Sequence, residues 1–324
     1  MRFAIAVAVA LGLILTPTLG SGRSFAADDR IAVRSGVVYA EHDGIKLVGD
    51  LYLPTRPGRV PILVAIHGGG WQAGDRGFYQ HWGPLLARNG YGLFSIDYRL
   101  GKRGAYPAAV YDVRAAIQFV RARADEFNID ANRVGLVGDS AGGYFAALLA
   151  LAGDRFTSRY RDDAYAATPI DVKVVIGFYG IYDLLAQWRH DVRAQSKRED
   201  LAESNNDRIV RPPDNITQAF LGAAPEPGGT RYIEASPISY VAPARKGGPE
   251  LPRFLLITGD RDPLVDARSQ SDAFAASLTQ AGFVAERVGI AGAGHFWVSD
   301  PFGGRRSFPA MAAPQLLRFL EKFL

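Results

Sequence analysis

Val60–Ile66 reads Val-Pro-Ile-Leu-Val-Ala-Ile, a run without a polar side chain. A strand that is apolar on both faces must be covered on both, which points to a parallel sheet held between layers of helices. Residues 91–96, 133–137, 172–178, 254–258 and 283–290 read as further strands. Residues 35–39 and 45–53 read as a strand pair around the turn His42-Asp43-Gly44. Between these runs Val110, Val113, Ile117, Val120 and Ala124 recur at helical spacing, and residues 141–152, 268–281 and 312–324 also read as helices. Repeated βα units argue for an open, mostly parallel α/β sheet flanked by helices. A length of 324 residues, with 48% hydrophobic and 22% charged side chains, suits a large globular core of this class.

The N-terminus reads as an export signal over residues 1–26. Arg2 supplies a positive start, residues 3–15 form an apolar run too short to span a bilayer, and Pro17 ends it. Ser24-Phe25-Ala26 offers small residues for cleavage before Ala27. The expected mature chain is therefore residues 27–324, secreted or periplasmic, with no stable membrane insertion. Removing the signal leaves 35 basic against 33 acidic side chains, too small an excess for a nucleic-acid surface. There is no Cys, so disulfides, thiolate metal sites and cysteine nucleophiles are excluded.

Residues 180–250 break the βα rhythm. A charge-dense stretch from Arg189 to Arg211 is followed by a loop rich in Pro and Gly. It reads either as a solvated surface helix with its connector or as a lid inserted between two late strands. An unstructured loop of that length is uncommon without a function.

Gly138-Asp139-Ser140-Ala141-Gly142 fits the pattern G-x-S-x-G and lies between a strand and a helix, the context this nucleophile motif requires. Small neighbours let the chain turn sharply under the serine, and the helix start aims free N–H groups at the reaction centre. His67-Gly68-Gly69-Gly70-Trp71 follows Val60–Ile66 directly. Its consecutive glycines can present bare N–H groups to a developing negative oxygen, and His67 reads as a residue that fixes this loop. The acid and base should follow the serine in the chain. Asp262 lies on the loop after the strand at 254–258, with Asp260 and Asp266 as competitors. His295 lies on the small-residue loop after the last strand, whereas His42, His81 and His190 have no comparable context.

Five segments together resemble the hormone-sensitive-lipase-like branch of the α/β-hydrolases, the bacterial carboxylesterases, and the neighbouring feruloyl and acetyl-xylan esterase group. They are His67-Gly68-Gly69-Gly70, Asp97-Tyr98-Arg99-Leu100, Tyr106-Pro107-Ala108-Ala109, Gly138 to Gly143, and Asp262-Pro263-Leu264. The resemblance implies an α/β-hydrolase fold with Ser140 as nucleophile, Asp262 as orienting acid and His295 as base. It also implies an oxyanion hole from the N–H groups of Gly69, Gly70 and Ala141. His295 is followed by Phe296-Trp297, where the lipase-like branch usually has Gly.

The expected function is hydrolysis of small-molecule carboxylic esters through an acyl-enzyme, with no metal or organic cofactor. An amidase, arylformamidase-like or peptidase activity on the same fold is the alternative, and a non-catalytic binding protein the third reading. Between Arg189 and Arg211 the only aliphatic residues larger than Ala are Val192, Leu201, Ile209 and Val210, little apolar area for docking on lipid. Trp71 directly follows the oxyanion loop and Phe296-Trp297 directly follow the base; Trp71 and Trp297 are expected to line the substrate pocket, where such rings shorten it or stack on an aromatic alcohol, with ordinary core packing of each ring as the alternative. Esters with acyl chains of about two to six carbons are then expected over long-chain triglyceride, because methylenes beyond the pocket's end gain no burial.

Overall fold

The computed structural model describes residues 31–157, 159–160, 163–205, 215–244, 250–304 and 306–324. The expected export signal lies outside them, as do residues 206–214 and 245–249 of the 180–250 segment.

Eight strands form one sheet: β1 (Ile31–His42), β2 (Ile45–Pro54), β3 (Val60–Ile66), β4 (Gly92–Ile96), β5 (Ile129–Asp139), β6 (Val174–Phe178), β7 (Arg253–Gly259) and β8 (Ala285–Ile290). Their order is β1-β2-β4-β3-β5-β6-β7-β8. β1 and β2 form a hairpin whose turn residues Asp43 and Gly44 both take positive φ, 51° and 74°, as a two-residue turn between twisted strands requires. β2 also runs antiparallel to β4, and every pairing from β4 through β8 is parallel. This strand order and these pairings match the α/β-hydrolase architecture that the resemblance implies.

All seven residues of β3 are buried. Their side chains alternate: Ile62, Val64 and Ile66 join one apolar layer, Leu63 and Ala65 the other. Helix α1 (Trp82–Arg88) covers the second side with Leu86, while α2 (Ala108–Ala122) and α3 (Ala141–Ala152) cover the first with Val113, Ile117 and Ala146. The inserted segment contributes α4 (Leu184–Asn205) and α5 (Ile216–Leu221). The chain ends with α6 (Ala273–Gln280) and α7 (Phe308–Phe323).

Several boundaries differ from the sequence pattern for local reasons. β5 begins at Ile129, several residues earlier than its apolar core, because Asp130 and Asn132 break the hydrophobic run without breaking the strand. The helix expected from residue 268 opens as a wide π-type turn over Arg268–Asp272, with the Asp272 N–H bonded to the Ala267 carbonyl at 2.8 Å. α7 starts at Phe308 rather than 312. Ser307 caps it, and Pro309 sits in the first turn, where its missing N–H is no loss.

The loops leaving β3, β5, β7 and β8 all emerge at the carboxyl ends of parallel strands, on one edge of the sheet. In open α/β sheets that edge is where ligands bind.

Candidate active site

Ser140 sits between the end of β5 and the start of α3 with φ 50° and ψ −116°, a conformation that side-chain-bearing residues rarely adopt. The elbow is held by the Ser140 N–H, which donates to the Phe178 carbonyl on β6 at 2.9 Å. The flanking glycines are required by space. A Cβ on Gly138 would stand 2.3 Å from the Gly142 carbonyl carbon, and one on Gly142 would stand 1.9 Å from the Ile66 oxygen.

The structure brings Ser140, His295 and Asp262 together. His295 Nε2 lies 3.0 Å from Ser140 Oγ, and His295 Nδ1 lies 2.6 Å from Asp262 Oδ2. The side chains of His295 and Asp262 are each only 3% exposed, so their pairing is shielded from water. Asp262 Oδ1 accepts the N–H groups of Leu264 and Val265 at 2.9 and 3.0 Å, which fixes the carboxylate on its loop. The two competing acids do other work: Asp260 accepts the Gly292 N–H at 2.6 Å, and Asp266 accepts the Ser269 N–H at 3.0 Å.

Gly69 and Gly70 take φ of 99° and 60°, so the oxyanion loop depends on left-handed backbone. Gly69 has no room for a side chain, since a Cβ would meet the Ala73 oxygen at 2.1 Å. The Gly69 carbonyl turns away and accepts from Gln72 and Ala73. Among the described residues no backbone acceptor takes the N–H groups of Gly69, Gly70 or Ala141. His67 packs rather than reacts: it is 1% exposed, stacks on Tyr98 at 4.3 Å, and its Nδ1 lies 2.8 Å from the Gly68 oxygen. Burial holds its pKa below the ordinary value, which keeps the ring neutral. The Asp97 to Leu100 segment buttresses the same loop. Tyr98 OH donates to the His67 carbonyl at 2.8 Å, and Asp97 accepts the Arg76 N–H at 2.7 Å.

Ser140 and His295 open onto a cavity of about 470 Å³. Phe78, Ile181, Ile216, Leu264, Val265 and Phe296 make most of its wall apolar. α4 adds polar groups from one helical face, with Gln187, His190 and Asp191 spaced three and four residues apart, and Asn215 adds another. His190, without context in the sequence, is thereby part of the site. α4 is also tied to the loop of the acid: Gln187 Nε2 donates to the Leu264 carbonyl at 2.9 Å.

Trp71 and Trp297 do not line this cavity, which corrects the expectation that they bind substrate. Trp71 is 1% exposed, stacked on Phe220 at 4.4 Å and edge-on to Tyr144 at 5.4 Å. Trp297 is 2% exposed and lies edge-on to Phe178 and Tyr179. Rings of this size gain more from such aromatic packing than from a wet pocket wall. Phe296, at φ 67° and 53% exposed, is the ring that turns outward and meets His295 edge-on at 4.5 Å.

Two buried groups escaped the sequence reading. Asp139 is 1% exposed behind the nucleophile, and its Oδ1 accepts the Gly68 N–H at 3.0 Å and the Tyr79 hydroxyl at 3.1 Å. Burial pushes its carboxyl up to about 7, against the pull of both bonds. Tyr179 lays its ring 4.4 Å from His295, and its hydroxyl accepts the Val298 N–H at 3.1 Å, which steadies the loop of the base. The only sequence signal for Asp139 was its place inside the motif, and for Tyr179 there was none. Among the described residues no group of three or more His, Asp and Glu side chains is placed to hold a metal ion.

The chain is 31% identical to the esterase LipC of Mycobacterium tuberculosis over 268 residues, which is 81% of this chain and 58% of that protein. It is 30% identical to the esterase LipQ of the same organism over 70% of this chain and 48% of that protein. The chain thus spans about half the length of the curated relatives it matches. Among solved structures, a truncated carbohydrate esterase from gut microbiota superposes with a TM-score of 0.68 at 23% identity, covering 91% of this chain and 98% of that one. Esterase 2 of Thermogutta terrifontis superposes with a TM-score of 0.65 at 22% identity, covering 91% of each chain. These likenesses carry the α/β-hydrolase fold. The BD-FAE family model matches residues 49–278, the part of the chain that holds the loop of Gly69 and Gly70, the turn of Ser140 and Asp262, and the chain belongs to this family of α/β-hydrolase esterases.

Proposed function

We propose that the chain is a serine carboxylic ester hydrolase acting on small-molecule esters with short acyl groups. The observation that carries the reading is the relay from Asp262 Oδ2 to His295 Nδ1 at 2.6 Å and from His295 Nε2 to Ser140 Oγ at 3.0 Å, opening on one cavity with Gly69 and Gly70. His295 takes the Ser140 proton as Oγ attacks the acyl carbon. The N–H groups of Gly69, Gly70 and Ala141 receive the tetrahedral oxyanion, each such donor being worth about 3–4 kcal/mol of barrier. His295 then protonates the leaving alcohol, and a water admitted in its place hydrolyses the acyl-enzyme by the same steps in reverse. The relatives named esterases support the reaction class.

The short-acyl preference now rests on the cavity, not on Trp71 and Trp297. Its volume of about 470 Å³ is at the small end of ligand sites, and α4 and Phe296 share it with Ser140. No described helix is long and apolar enough to cross a membrane. Export to the periplasm or the medium is part of the proposal, supported by the pattern of residues 1–26. Two measurements test the reading. A fluorophosphonate should label wild type on Ser140, with Ser140→Ala unlabelled. kcat/KM for p-nitrophenyl esters from acetate to palmitate should peak at short chains. A maximum at twelve carbons or more, or activation on emulsified triolein, would replace esterase by lipase, and faster turnover of anilides than of esters would replace it by amidase.

A further inference from the structure

The cavity wall contributed by α4 carries a carboxylate with no cationic side chain opposite it. Asp191 lines the cavity, its Oδ1 accepts the Gln187 side-chain N–H at 2.8 Å, and its Oδ2 is buried without a hydrogen-bond partner. No Lys or Arg is among the described residues around this cavity. The neighbouring Arg189 and Arg193 are exposed on the opposite face of α4. Asp262, on the far side, has His295 as its hydrogen-bond partner. His190 stands beside Asp191, but its Nε2 lies 3.3 Å from the Pro263 carbonyl oxygen, to which only an N–H can bond, so that atom is turned away from the carboxylate.

A buried polar group is ordinarily bonded, and a buried charge ordinarily paired. Burial raises the pKa of Asp191 by more than the Gln187 bond and His190 lower it. An apolar wall strengthens the field such a group casts across the cavity. The positive partner that Asp191 lacks among the described residues is then supplied by what enters.

We propose that Asp191 makes this cavity select esters by charge: the preferred substrate carries a cationic group, an ammonium on its alcohol or its acyl part, and anionic esters are turned away. The inference rests on the ester-hydrolase reading and adds the substrate class. At an effective dielectric of about 20 and a separation of about 10 Å, one such charge changes kcat/KM by about tenfold.

The test uses isosteres. On the alcohol side, the butyrates of 2-(dimethylamino)ethanol, 3-methylbutanol and 3-hydroxypropanoic acid present a cation, a neutral group and an anion. On the acyl side, methyl 3-(dimethylamino)propanoate is compared with methyl 4-methylpentanoate. Each kcat/KM at pH 7 is divided by the ester's rate of alkaline hydrolysis, which removes its intrinsic reactivity. The expected order is cation over neutral over anion, by about tenfold per step in the series whose group faces Asp191. Asp191→Asn should shrink the cation-to-neutral ratio toward one. A wild-type ratio of one or less in both series overturns the inference, and does so even where the Asn variant fails to fold. A ratio unchanged in a folded Asn variant overturns it as well. Brisk hydrolysis of the neutral esters without charge preference would leave the ester reading standing alone, whereas turnover of no ester, p-nitrophenyl acetate included, would remove both.

Discussion

Replacing Asp139 by Asn should make the protein's stability less sensitive to pH, and the size of the effect follows from the burial of this carboxyl. Asp139 is enclosed behind Ser140, with the Gly68 N–H and the Tyr79 hydroxyl bonded to its Oδ1. Its pKa rises from the ordinary 3.8 to about 7. At 1.36 kcal/mol per pKa unit, the full rise corresponds to about 4 kcal/mol. Between those two values the unfolded chain has lost this proton and the folded chain still holds it. The unfolded state binds fewer protons there, so stability falls as pH rises. From pH 5 to pH 8 this one group should cost wild type about 3 kcal/mol, nearly all of it below pH 7. Asn keeps the oxygen acceptor for Gly68 and cannot ionise. Urea unfolding of both proteins at pH 5 and pH 8 isolates the effect, because all other titrations are shared. The variant should gain on wild type by about 3 kcal/mol between the two pH values. A stability difference that stays constant within about 0.5 kcal/mol, or moves the other way, would refute the assignment of a protonated, desolvated Asp139.

Ser140→Ala should lower turnover by about six orders of magnitude and Asp262→Asn by about four, read by ester hydrolysis under saturating substrate. Asp260→Asn should do far less, since that carboxylate only braces Gly292. Trp71→Ala and Trp297→Ala should each cost about 3–5 kcal/mol in denaturant unfolding, as core truncations do, and leave the rank order of acyl lengths alone. Phe296→Ala should shift that rank order with little loss of stability, because its ring is exposed at the cavity. His42 is enclosed with Asp112 at 2.6 Å and Asp163 at 2.9 Å. Burial lowers its pKa, but the bonds to the two carboxylates outweigh burial and raise it above 6.5. That stabilisation is complete below pH 6.5 and fades as pH climbs through the raised value, so His42→Gln should depress the melting temperature more at pH 6 than at pH 9.

What could be read from the residues alone was whatever is local in the chain. β3 was legible to the residue because both of its faces are buried, and the Ser140 elbow was legible because tight backbone crossings leave glycine as the only choice at 138 and 142. Choosing among Asp260, Asp262 and Asp266 needed the family resemblance. The three lie on one loop, and what separates them is which side chain reaches His295. The tryptophans were misjudged for a related reason. Adjacency to Gly70 or to His295 in sequence says nothing about direction once the backbone passes through left-handed φ at Trp71 and Phe296, where neighbouring side chains are thrown to opposite sides. α4 is the clearest case of a function hidden in a pattern. Its charges announce a solvated helix, and Arg189 and Arg193 are indeed exposed. Yet Gln187 and Asp191 sit on the opposite face, and with His190 beside them they complete the cavity wall. Polar side chains on both sides of a helix erase the apolar stripe by which a buried face is recognised, so the segment that walls the cavity is the segment whose sequence looks least like part of a site.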